Sequence, residues 1–170
     1  MDSLSKSEAG AFVGKKSEYY LNMWDRYAGS ASFKGWNCSA LLFGILWVAY
    51  RKMYRIAAIL LGIQVLAAII RFVPLTLALL GRALPPYAAY PVIVLMNLVA
   101  AGVYVYCGIF GNKLYRDKAA RALAEAGDIQ EKDTQRRMDS IAEKGGVNDV
   151  IVILYALVVF ALFLAGRAVR

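Results

Sequence analysis

The 170-residue chain contains no histidine and only two cysteines, Cys38 and Cys107. Without imidazole it lacks the commonest metal ligand and the one side chain that titrates near neutrality. Two thiols so far apart make no zinc-ligand spacing and are read as reduced cysteines. No phosphate-cradling Gly-rich loop and no HExxH pattern occurs. No catalytic residue, no metal and no cofactor is therefore assigned. Proline is scarce as well: Pro74, Pro85, Pro86 and Pro91 are all there is, confined to 74–91. Charge of either sign is missing from four long runs, 35–50, 56–70, 83–112 and 150–166. A soluble helix of that length needs polar side chains on its outer face, whereas a lipid-facing helix does not.

What is present agrees with a membrane chain. Sixty per cent of residues are hydrophobic, and the net charge is +8. The basic residues gather at the ends of apolar runs, which suits membrane anchoring and orientation better than nucleic-acid binding. The first 30 residues carry no apolar h-region, so no cleaved signal peptide is expected.

The spacing predicts an all-α membrane protein forming a single membrane domain over 1–170, with three transmembrane helices at 55–73, 91–111 and 149–166. The proline-rich stretch 74–91 connects the first two, Arg71 snorkels at the far interface, and Pro91 sits in the first turn of the next helix. Residues 112–147 form a cytoplasmic helical loop, closed by Gly145 and Gly146, and Asn148 or Asp149 caps the last span. Residues 1–36 are a cytoplasmic amphipathic lead-in in which Tyr20, Trp24 and Tyr27 share one side of a helix. That side suits either the headgroup level of a bilayer or packing on the protein itself.

Residues 37–54 hold the topology. Phe43, Trp47, Tyr50 and Tyr54 recur at helical spacing and run into Arg51, Lys52 and Arg55. The apolar core 39–50 is only 12 residues, about 18 Å as a helix against a hydrocarbon core of about 30 Å. If it crossed, the 20 basic residues would divide 9 against 11 between the two sides; if it does not, they divide 16 against 4. Cytoplasmic flanks are rich in Lys and Arg, so 37–54 is expected to be an interfacial or re-entrant helix. Trp47, Tyr50, Arg51, Lys52, Tyr54 and Arg55 are then the residues expected at the membrane interface, touching lipid or a partner. Within the second span, Asn97, Ala101, Tyr104, Gly108 and Asn112 recur at helical spacing and read as a helix-packing seam.

The string WNCSALLFGILWVAYRKMY (36–54) resembles the signature of the bacterial domain of unknown function 2628 family, at Trp36, Asn37, Ala40, Phe43, Gly44, Trp47 and the run Tyr50 to Tyr54. Gly111, Asn112 and Tyr115 make a second matching patch, and Gly145-Gly146 a weaker third. The chain departs from the pattern at Cys38, often aromatic in such proteins, at Ile45, often proline, and in lacking the His that often follows the second patch. The resemblance implies a small multi-pass protein of the bacterial inner (cytoplasmic) membrane and supplies no reaction. With acidic residues expected in helical i, i+4 pairs and few polar side chains inside the spans, chiefly Gln64, Asn97 and tyrosines, the residues suggest a non-enzymatic accessory or assembly subunit of a membrane complex. Its expected partners are membrane lipids and another membrane protein or a second copy of itself, with no nucleic acid. The alternatives are an autonomous protein binding anionic lipid and an oligomeric small-solute transporter.

Overall fold

The computed structural model describes residues 6–26, 35–127 and 133–168, with side chains at all of them except 159 and 162–168. Eight helices lie among these residues: α1 (Lys6–Val13), α2 (Ser17–Arg26), α3 (Cys38–Phe43), α4 (Ile45–Tyr50), α5 (Tyr54–Leu79), α6 (Pro86–Ala126), α7 (Thr134–Lys144) and α8 (Asp149–Ala168). α5 and α6 pair as a long hairpin. α1 to α4, the C-terminal part of α6 and α7 pack into a head at the open end of that hairpin, and α8 rests on α4.

The hairpin helices are long and apolar enough to cross a membrane, and only 17% of the most apolar window of each is buried. A core helix of a soluble protein would be mostly covered. Their few polar side chains are spent on one another. Gln64 Nε2 donates to the Ala100 carbonyl at 3.0 Å, and Arg71 Nη1 donates to Asn97 Oδ1 at 3.1 Å.

Several expected boundaries move. α5 does not stop at Pro74 but runs through it to Leu79, and α6 begins at Pro86, before Pro91. A proline removes one helical hydrogen bond, and the intact turns on either side outweigh that loss. Near Pro74, Thr76 Oγ1 adds a bond to the Phe72 carbonyl at 3.1 Å. The loop expected from 112 is, in its first part, the end of α6. Between Gly111 and Gly127 the sequence is rich in Ala, Leu, Lys and Arg with no breaker, so the helix carries on to Ala126.

The expected single helix over 37–54 is two short ones broken at Gly44, where φ is +48°. Two constraints require glycine there. The backbone lies in a region L side chains rarely adopt, and a Cβ would come within 2.7 Å of the Tyr104 ring. The break turns the aromatic stripe into two sets: Trp47 is buried in the head, while Phe43 and Tyr54 stay exposed. α3 is started by Asn37, whose Oδ1 accepts from the Ala40 N–H at 2.9 Å.

α1 and α2 pack on the protein itself, with Phe12, Tyr20 and Trp24 buried; Tyr27 lies outside the described residues. Charged tethers hold the outer helices: Arg137 pairs with Glu8 at 2.9 Å, Lys144 with Glu125 at 2.6 Å and Lys6 with Asp25 at 2.9 Å. α8 is rooted by Asn148. Its N–H donates to the Tyr50 carbonyl, its Nδ2 donates to the Tyr54 hydroxyl, each at 2.8 Å, and its Oδ1 accepts from the Val150 N–H at 3.1 Å.

Gly145 is the tightest joint. A Cβ there would overlap the Phe12 carbonyl oxygen, beside the Gly146 N–H that donates to that same oxygen at 2.7 Å. Gly145→Ala should therefore destabilise the protein by about 3 kcal/mol. Gly62→Ala, where a Cβ meets nothing within 4 Å, should leave stability unchanged or raise it by up to about 1 kcal/mol. Thermal melts of both variants in detergent micelles check the ranking.

Candidate functional site

Tyr115, on the part of α6 beyond the apolar run, is wholly buried and gathers the head around it. Its ring lies 5.5 Å from Phe12, 5.2 Å from Tyr20, 5.9 Å from Trp24 and 6.4 Å from Trp47, most pairs tilted or edge-on. That geometry matches the preference of aromatic quadrupoles, each pair adding about 1 kcal/mol beyond simple burial.

Arg51 ends inside this cluster although only 4% of it is exposed. Its guanidinium carbon lies 4.6 Å from the centre of the Tyr20 ring and 4.8 Å from that of Tyr115. Nη2 donates to the Tyr20 hydroxyl at 3.0 Å and Nη1 to the Tyr115 hydroxyl at 3.4 Å, while Nε has no protein partner. Among the described residues no carboxylate pairs with Arg51. Burial pushes both phenols upward, Tyr115 to about 12, against the lowering effect of Arg51 itself. The rings therefore stay neutral at physiological pH and leave the arginine's charge uncompensated.

The backbone that delivers Arg51 is strained. Lys52 follows it at φ +56°, unusual for a non-glycine residue. The turn is clamped from two sides: Lys52 Nζ donates to the Glu143 carbonyl at 3.0 Å, and Lys118 Nζ donates to the carbonyls of Arg51 and Lys52 at 3.0 and 3.3 Å. Burial, with Lys52 and Arg51 nearby, lowers the Lys118 amine to about 8.

An asparagine pair joins α6 to the start of α3. Asn37 Nδ2 donates to Asn112 Oδ1 at 2.7 Å, Asn112 Nδ2 donates to the Gly35 carbonyl at 3.1 Å, and the Asn37 N–H donates to the Gly108 carbonyl at 2.8 Å. Gly108 and Gly111 permit this approach, since a Cβ on them would meet Leu41 at 2.9 Å and Ala40 at 3.0 Å.

Beside Arg51 and Asn37 opens a cleft of about 630 Å³. Lys15, Lys16, Tyr20, Asn37 and Arg51 contribute polar lining, and Trp36, Phe43, Leu46 and Val152 an apolar one; among the described residues no acidic side chain lines it. Its cationic groups can hold a negative charge.

Of the residues expected at an interface, Trp47, Tyr50 and Arg51 line the cleft. Arg51 is buried rather than laid on a surface, because the aromatic rings solvate it. Lys52 is half-buried, and Tyr54 and Arg55 are exposed. Of the expected seam, Gly108 and Asn112 are buried against residues of and before α3, and Tyr104 covers Gly44. Ala101 is exposed, and so is Asn97, which accepts from Arg71. Sequence reasoning passed over Lys118 and gave Tyr115 no role. A signal was there: small residues continue at helical spacing past the apolar run, through Gly111, Ala119, Ala122 and Ala126, all buried.

Asn112→Leu should cost about 3 kcal/mol, because it strands the buried Asn37 amide and the Gly35 carbonyl. Asn97→Leu, on the open side of the hairpin, should cost only about 0.6 kcal/mol. Chemical unfolding in detergent compares the two.

Lys118 imposes a pH dependence. Its folded pKa of about 8 lies below the ordinary 10.5. Between those values the unfolded chain keeps a proton that the folded chain has released, so stability contributed by this group rises with pH across the window. The melting temperature of the wild type should climb relative to Lys118→Met over that range; a constant difference would mean that the amine is well solvated.

A family model described as a protein of unknown function (DUF2628) matches residues 11–121. The match runs from α1 to near the end of α6, covering the aromatic cluster, the asparagine pair and Arg51, and stops short of Gly145-Gly146. No curated protein matches the chain, and no solved structure does. With well over half of its length inside that match, carrying the residues that build the head, the chain belongs to the DUF2628 family of proteins of unknown function.

Proposed function

We propose that this protein is a multi-pass protein of the bacterial inner membrane whose head works on the cytoplasmic side as a non-enzymatic binding module, an accessory or assembly subunit of a membrane complex. The observation that carries this reading is the contrast between the two ends of one molecule. The α5–α6 hairpin leaves its apolar side chains uncovered, with Leu66, Ile69, Leu95 and Leu98 each more than half exposed. The head next to it closes around its own aromatic core and carries most of the basic residues, while Arg71 and Arg82 lie toward the far end of the hairpin. In the proposed topology α8, 20 residues long, is the third span, and the side bearing 16 of the 20 basic residues faces the cytoplasm.

Single cysteines placed by Ser5→Cys, Ser140→Cys and Val169→Cys, in a background lacking Cys38 and Cys107, test the topology. The first two should be shielded from an impermeant maleimide in intact cells and the third labelled. Labelling at position 140 from outside would overturn the arrangement. The accessory role expects a membrane protein of fixed stoichiometry to stay with the chain through gel filtration in mild detergent; a chain that elutes alone from its native membrane argues against it.

A further inference from the structure

The head buries a full positive charge that no carboxylate among the described residues neutralises. Desolvating an unpaired ion is costly, and buried charges in proteins are ordinarily paired. Here Arg51 is stabilised by two ring faces and two hydroxyls, and its Nε is left over. The head's known carboxylate pairs lie elsewhere, Glu8 on Arg137, Asp25 on Lys6 and Glu125 on Lys144. Among the described residues, the cleft beside Arg51 brings two further cations, Lys15 and Lys16, and no acid. The charge of Arg51 and the two lysines together suit an anion from outside the chain.

The other lining says what that anion is attached to. Trp36, Phe43, Leu46 and Val152 form an apolar side, of which Trp36 and Phe43 are more than half exposed. Val152 belongs to the first turn of α8, and Arg51 stands three residues before α5 begins. The cleft therefore opens where the apolar helices start, a polar floor on one side and apolar residues on the other.

We propose that this cleft binds one anionic phospholipid, with Arg51, Lys15 and Lys16 supplying the charge for its phosphate and the apolar side covering the start of an acyl chain. The assignment rests on the membrane reading above, which places this level of the molecule among lipid headgroups. The ammonium groups of Lys15 and Lys16 suit a phosphate oxyanion as point charges, and the neutral phenols of Tyr20 and Tyr115 hold the Arg51 guanidinium beside them without cancelling its charge.

Native mass spectrometry in an uncharged maltoside detergent tests the site, with short-chain phosphatidylglycerol and phosphatidylcholine as probes. One phosphatidylglycerol should be retained, roughly tenfold or more tighter than phosphatidylcholine, and the paired change Lys15→Gln and Lys16→Gln should weaken it about fivefold per charge removed. Arg51→Met should abolish the preference. Because that variant removes a core group, the lysine pair, on the rim of the cleft, decides the matter if it fails to fold. Equal retention of the two lipids, or a preference untouched by the lysine changes, overturns the proposal. Competition by glycerol 3-phosphate distinguishes the source of the phosphate: binding as tight as the lipid's would overturn the lipid in favour of a soluble phosphate ester. Carbonate extraction of native membranes separates the two failures. A chain that resists extraction yet shows no lipid preference sinks the site alone, and one that is extracted sinks the membrane reading as well.

Discussion

The guanidinium of Arg51, held between the rings of Tyr20 and Tyr115, is the contact on which the head depends. It ties α2, the turn between α4 and α5, and the distal part of α6, three segments far apart in the chain. A desolvated cation over an aromatic face contributes about 2 kcal/mol or more, and here two faces act on one ion. Everything around it serves to keep the ion in place. Lys118 holds the carbonyls of Arg51 and Lys52, Lys52 reaches back to Glu143, and Trp24, Phe12 and Trp47 close the ring cluster against Tyr115. The cost is visible in the backbone, where Lys52 adopts a left-handed conformation so that the chain can turn directly from α4 into α5.

Close backbone approach is the second theme. Gly44 beneath Tyr104, Gly108 against Leu41, Gly111 against Ala40 and Gly145 against the Phe12 carbonyl each occupy a place that a single Cβ would contest. These contacts let α3 lie directly on α6, so that the buried asparagine pair can form. An amide pair hidden from water is favourable only if every group finds a partner. Asn37 and Asn112 meet that condition through each other, the Gly35 carbonyl and the Ala40 N–H. The residues that carry the family resemblance in separate stretches of sequence thus meet around α3 and Tyr115.

The two ends of the molecule follow different physical rules. In the head, stability comes from ring packing and the partnered asparagine pair, with charged tethers at the edges. In the hairpin, apolar side chains face outward and the few polar ones, Gln64, Arg71 and Asn97, are joined across α5 and α6. The cleft beside Arg51 combines cationic and polar groups of the head with an apolar side from Trp36, α3, α4 and the first turn of α8, and that is why its chemistry is amphipathic.

Much was decided by local sequence. The uncharged runs at 56–70 and 83–112 determined where two long apolar helices lie, because a charge-free helix has only one kind of environment that suits all its faces. The 12-residue core at 39–50 was too short to be another, and α3 and α4 are indeed each six residues long. A cap at Asn148 or Asp149 was legible too, since a short polar side chain before an apolar run is a local device, and Asn148 is the one that accepts from the Val150 N–H. The tertiary structure decided what depends on distant partners. Gly44 breaks the aromatic stripe because Tyr104 occupies the space beneath it, and no periodicity in 37–54 contains that fact. Arg51 reads as a surface charge beside a membrane, and only the arrival of Tyr20 and Tyr115 from elsewhere in the chain makes its burial possible. The sequence states which side chains are charged; which of them can leave water is set by the neighbours that folding brings.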